Sequence, residues 1–120
     1  MTRTPGADPV RAATAELFAR YLGIIERAGS AGGGAASLPG TDLAHLAWLC
    51  REGIERIDAI PVDKASRWLG FVQGCLTMQG LISVEGERDH SRPLFHRAYA
   101  ASGLEIPPRI GPAPHDTSGM

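Results

Sequence analysis

The chain has 120 residues and a formal net charge of −1, a length that fits one domain around one modest core. So near-neutral a balance gives no global pull toward nucleic acid or an anionic membrane. Two cysteines are too few for a secreted disulfide scaffold, and no apolar run approaches the length of a bilayer span.

Residues 1–8 contain Pro5 and Gly6 and carry no pattern, so they read as a disordered N-terminus. No apolar run follows a basic start, as a signal peptide requires, and this points to the cytoplasm. The first helix starts at Asp8 or Pro9: an aspartate caps well, and proline suits the first helical position. Val10, Ala13, Leu17, Tyr21, Ile24 and Ala28 then recur at helical spacing until Gly29. The glycine-rich segment 29–40 reads as a flexible linker, and it holds no Gly-Lys-Ser/Thr that would mark a phosphate loop.

Thr41 is the expected cap of the second helix, with Asp42 in its first turn. Its inward stripe is Leu43, Leu46, Ala47, Cys50, Ile54 and Ile57, and Trp48 and Leu49 lie off the centre of that stripe. The third helix covers about 62–80, supported by Asp63 at its start and ended by Gly80. Ser83 caps a fourth helical region with Glu85 and Glu87 in its first turns. Pro93 either kinks this region or precedes a separate helix capped by Ser91. Gly103 closes it, and four prolines between positions 107 and 114 make 104–120 an extended tail. The expected fold is all-α: a bundle of four to five helices over 9–103, with both Cys50 and Cys75 as buried thiols.

The third helix contains RWLGFVQG, two glycines beside large apolar residues. Trp68, Phe71, Val72, Cys75 and Met78 follow helical spacing and read as its apolar face, with Leu69 and Leu76 widening it. Each interior glycine costs about 0.5–1 kcal/mol relative to alanine, so something must approach closely in return. Ser66, Gly70 and Gly74, at four-residue steps, form a close-packing strip. It serves the interior of the monomer, a seam between copies in a homo-oligomer, or a ligand lying on bare backbone beside Gln73 and Thr77.

On a helix, Arg88, Arg92 and His96 stack at four-residue steps and form an anion clamp, toward which Arg67 and Lys64 converge from the preceding helix. The competing reading pairs these arginines with nearby acids: residues 41–63 carry five acids against two bases, and residues 64–99 carry five bases against three acids. No His-x-x-x-His or Cys-x-x-Cys pair exists, so no metal site is expected, and neither cysteine has a histidine at a suitable helical spacing to act as its base. No catalytic residue, metal or cofactor is assigned. A helix-turn-helix reading of the second and third helices gives the recognition element only Lys64 and Arg67 near its start, too few phosphate contacts to favour a DNA-binding regulator.

The segments DKASRWLGFVQGCL (63–76) and ERDHSRPLFHRAY (87–99) resemble small uncharacterised accessory proteins of tailed phages and prophages. The resemblance implies a non-enzymatic protein of the host cytoplasm, acting in counter-defence. It suggests an oligomeric sponge that sequesters a phosphorylated small molecule, such as a cyclic nucleotide immune signal. In that role Arg67, Arg88, Arg92 and His96 hold phosphate, Gln73 is a polar anchor, and Tyr99 is the residue that stacks on a base. The alternative is a protein–protein inhibitor of a host defence or regulatory protein, working through an exposed helix face.

Overall fold

The computed structural model describes residues 8–30 and 38–103. The expectations for the N-terminal seven residues, for 31–37 of the linker and for the tail 104–120 lie outside the described residues. Four helices follow one another: α1 (Pro9–Ser30), α2 (Leu43–Glu55), α3 (Val62–Met78) and α4 (Val84–Ala101), with no strand among the described residues.

Local chemistry accounts for most of the helix ends. Asp8 Oδ1 accepts from the Arg11 amide at 3.1 Å, and the other carboxylate oxygen pairs with Arg11 Nε at 2.7 Å. The α2 cap is Asp42, whose carboxylate accepts from the His45 amide at 3.1 Å; the Thr41 hydroxyl instead donates to the Leu38 carbonyl. The cap therefore falls one residue later than expected. At α4, Ser83 Oγ accepts from the Gly86 amide at 3.0 Å. Gly80 and Gly103 follow the ends of α3 and α4 at φ +76° and +75°, a conformation that strains any residue with a Cβ.

Pro93 does not break α4. The helix runs through it, so Ser91 caps nothing and the bundle has four helices among the described residues. The proline ring and Asp89, whose carbonyl loses its helical donor, are both exposed, so water takes the freed acceptor.

The centre of the bundle is α1. Its buried Ala13, Leu17, Phe18, Tyr21 and Ile25 meet Leu46, Leu49 and Cys50 from α2, Leu69, Val72 and Leu76 from α3, and Leu94 and Ala98 from α4. Full burial of each large apolar side chain stabilises by roughly 1.5–3 kcal/mol. At Gly53 a Cβ would stand 2.5 Å from the Phe18 ring, so this glycine is what lets α1 and α2 close up. A satellite cluster of Ile57, Ile60 and Ala65 sits under the α2–α3 turn. Arg11 reaches into that turn, its Nη1 donating to the carbonyls of Ile57 and Ile60.

The core stripe of α3 is Ala65, Leu69, Val72 and Leu76. It is rotated from the expected face: Trp68 and Cys75 are half-buried, while Phe71 is 44% and Met78 86% exposed. The helix turns its leucines inward and leaves the larger side chains at its edge.

Candidate functional site

The residues expected to gather round an anion occupy three separate environments. Arg67 stands on the exposed side of α3 and its Nη1 pairs with Asp63 Oδ2 at 2.9 Å, one turn away. That hydrogen bond lowers the Asp63 pKa. Gln73 turns inward instead, its Nε2 donating to the Tyr21 hydroxyl at 2.9 Å. Arg88, Arg92 and His96 do share one continuous helix at four-residue steps. None of the three side chains makes a hydrogen bond or ion pair with another described residue, so the acidic pairing considered for Arg88 and Arg92 does not form there. Tyr99 is half-buried with its ring 6.3 Å from that of Phe95. Because α4 packs chiefly on α1, no contact brings Arg67 or Gln73 to this column.

Sequence patterning missed the polar centre of the fold. Glu87, expected as a first-turn charge of α4, is buried. Its Oε1 accepts from the Tyr21 hydroxyl at 2.7 Å, and Arg20 grips both carboxylate oxygens, Nε at 3.2 Å and Nη2 at 2.7 Å. The Arg20 hydrogen bond holds the Glu87 carboxyl below the usual carboxylate range against the opposing effect of burial. Burial, with Glu87 as its acceptor, pushes the Tyr21 phenol up to about 12. Ser91 Oγ lies beside this phenol but is buried without a hydrogen bond of good geometry. Arg20 and part of Gln73 reach water while Tyr21 and Glu87 are buried, and the network ties α1, α3 and α4 together.

Ser66, Gly70 and Gly74 are all exposed. A Cβ added at Gly70 or Gly74 would meet nothing within 4 Å, so neither glycine serves packing among the described residues. The close-packing glycine is Gly53. The bare strip runs along the same edge of α3 as exposed Phe71 and Met78. Beside it the aromatic rings continue onto α2: Trp68 lies 6.4 Å from Trp48, itself 47% exposed, and Trp48 stacks on His45 at 5.8 Å. The Lys64 ammonium lies 5.4 Å from the centre of the Trp68 ring. Exposed Trp48, Phe71 and Met78, with half-buried Trp68 in contact with Trp48, thus give α2 and α3 an apolar outer side.

Neither thiol near this face is activated. Cys50 is buried and its thiol is pushed up to about 12 by burial; burial also raises Cys75 at the edge of the face. Among the described residues no group of three or more His, Cys, Asp or Glu stands together as a metal ion would require. No described helix is long and apolar enough to cross a membrane. No protein-family model matches the chain, and no curated protein or solved structure is significantly similar to it.

Proposed function

We propose that this is a non-enzymatic protein-recognition domain that works through the outer face of α2 and α3. The observation that carries this reading is the exposure of Trp48, Phe71 and Met78 together, beside Trp68 and the open backbone of Gly70 and Gly74. Scattered exposed apolar residues are ordinary, but a contiguous patch marks an interaction surface. Tryptophan, phenylalanine and methionine are enriched in protein interfaces, and truncating a central tryptophan is among the costliest changes there. The segment 63–76 that resembles phage and prophage accessory proteins contains most of this face. Inhibition of a host defence or regulatory protein is the role that fits both features.

The test uses the purified chain as immobilised bait in bacterial lysate, beside two double variants. A partner retained by the parent and by Arg88→Ala/Arg92→Ala, but lost with Phe71→Asp/Met78→Asp, supports the assignment. Equal retention by all three refutes it.

A second reading, capture of a phosphorylated small molecule on α4, draws support from the guanidinium groups of Arg88 and Arg92, which pair with no other described residue. A ligand at a hundredfold excess over its Kd stabilises the native state by about 2.7 kcal/mol. Thermal-shift measurements with linear and cyclic nucleotides, repeated on Arg88→Ala/Arg92→Ala, decide it. A shift that survives the substitutions removes the column from the binding site.

A further inference from the structure

We infer that the α2–α3 face binds a second copy of this chain, pairing two α3 helices antiparallel across a two-fold axis at Gly74. This rests on the reading of that face as a recognition surface and names its occupant in the free protein.

The first argument is shape. A two-fold interface must be self-complementary, each copy supplying both the projection and the recess. The exposed edge of α3 does this about one residue. Four positions before Gly74 stands Gly70, with open space where a side chain would be; four positions after it stands Met78, the most exposed large apolar residue described. In an antiparallel crossing at Gly74, Met78 of one copy lies over the partner's Gly70, and the reverse contact forms at the same time. The two Gly74 backbones meet at the crossing point, where the absence of a Cβ permits the closest approach. Phe71 falls opposite the partner's Thr77, so its ring covers the outside of that contact.

Charge placement agrees. The exposed ionic residues of α3 are Asp63, Lys64 and Arg67, all at its N-terminal end and away from the crossing. They fall on the rim, where water keeps them solvated. The same register carries Lys64 and Arg67 toward the partner's α3–α4 turn, which is followed by the exposed acid Glu85. A parallel pairing would instead set Lys64 and Arg67 against the same residues of the partner.

Area sets the strength of the pairing. At about 1.5 Å rise per residue α3 is about 25 Å long and α2 about 20 Å, and packed helix axes lie about 8–10 Å apart. Each copy therefore offers about 360–450 Å² and the pair about 700–900 Å², the size of a weak, reversible contact rather than an obligate one. Trp48 and Trp68 extend the contact onto α2, next to the crossing.

Sedimentation equilibrium of the full chain over a concentration series tests the inference. The parent should move from the 12.7 kDa chain mass toward twice that value. Gly74→Gln and Met78→Asp should each weaken the association at least about tenfold in Kd, while Arg92→Ala on α4 leaves it unchanged. Both α3 positions are exposed, so far-ultraviolet circular dichroism should report native helix in these variants. A parent that stays monomeric throughout overturns the dimer and leaves the recognition reading to the bait experiment. A dimer indifferent to both α3 substitutions overturns the face.

Discussion

The Tyr21 hydroxyl donates to Glu87 Oε1 at 2.7 Å, joining α1 to α4 across 66 positions of sequence. Arg20 neutralises the same carboxylate, and Gln73 donates to the same phenol from α3. Three helices therefore meet at one aromatic hydroxyl. Leu94 and Ala98 are the only apolar residues that α4 buries, and apolar contact is non-directional. The carboxylate accepts only one alignment, so it fixes the register of α4 on α1.

Removing either end of that bond should be costly, but unequally. Tyr21→Phe leaves one Glu87 lone pair and the Gln73 amide short of a partner, a loss of about 1–2 kcal/mol. Glu87→Ala strands the buried phenol and unpairs Arg20. Because the Arg20 side chain is 36% exposed, water recovers part of that loss, and about 2–3 kcal/mol is expected rather than the larger figure for a fully buried pair. Urea titrations measure both. A Glu87→Ala variant as stable as the parent would show that the network does not hold α4.

The same network contributes to the stability at both ends of the pH scale. Glu87 has a folded pKa below its ordinary 4.5, with Arg20 the main cause. Its contribution is complete above 4.5 and is lost as the pH falls through the lower, folded value. Tyr21 shifts the other way, from 10.0 to about 12, chiefly through burial. Its contribution is complete below 10 and disappears between 10 and about 12, where the unfolded phenol ionises first. The midpoint for urea unfolding of the parent should therefore fall at both extremes. Glu87→Gln should make the acid limb shallower, and Tyr21→Phe the alkaline one, leaving there the part due to the buried Cys50 thiol, which burial pushes from 9.0 to about 12. Limbs of unchanged slope in the variants would locate the titrating groups elsewhere.

Arg11 makes a separate prediction at the other end of α1. Its guanidinium gives two hydrogen bonds to carbonyls of the α2–α3 turn, which also covers Ile57 and Ile60. Arg11→Ala should cost about 1–2 kcal/mol. It should also speed amide exchange at Ala59 and Ile60, which donate to the Arg56 carbonyl within that turn. Global destabilisation without faster exchange there would assign the effect to the Asp8 pair instead.

The helices were legible because their signals are local. Asp8, Ser83, Gly80 and Gly103 act within a few residues of themselves, and sequence spacing exposes them directly. The rotation of α3 was not legible, because Trp68, Phe71, Cys75 and Met78 satisfy helical periodicity as well as Leu69, Val72 and Leu76 do. Only the shape of the groove left by α1 and α2 selects between the two stripes. Glu87 was hidden for a similar reason: a first-turn acid is equally suited to the helix dipole and to a buried arginine. The anion cluster dispersed because Arg67 found Asp63 on its own helix and Gln73 found Tyr21. The Arg88, Arg92 and His96 column depended on one helix alone, and it survived as a column.

The glycines give the sharpest contrast, since one kind of residue should respond with opposite signs. Gly53→Ala would drive a methyl to 2.5 Å from the ring of Phe18, which is fully buried and has no space to yield. Overpacking of this kind costs about 1–3 kcal/mol. Gly70→Ala meets nothing within 4 Å in the monomer, so the gain in helix propensity stands alone and should add about 0.5–1 kcal/mol. Thermal denaturation at low protein concentration, where the monomer prevails, measures the two substitutions against one parent. At high concentration the Gly70→Ala gain should shrink, because the added methyl occupies the recess assigned to the partner's Met78. A gain independent of concentration would leave that recess unfilled in solution, and a loss in dilute protein would mean that Gly70 already packs within its own chain.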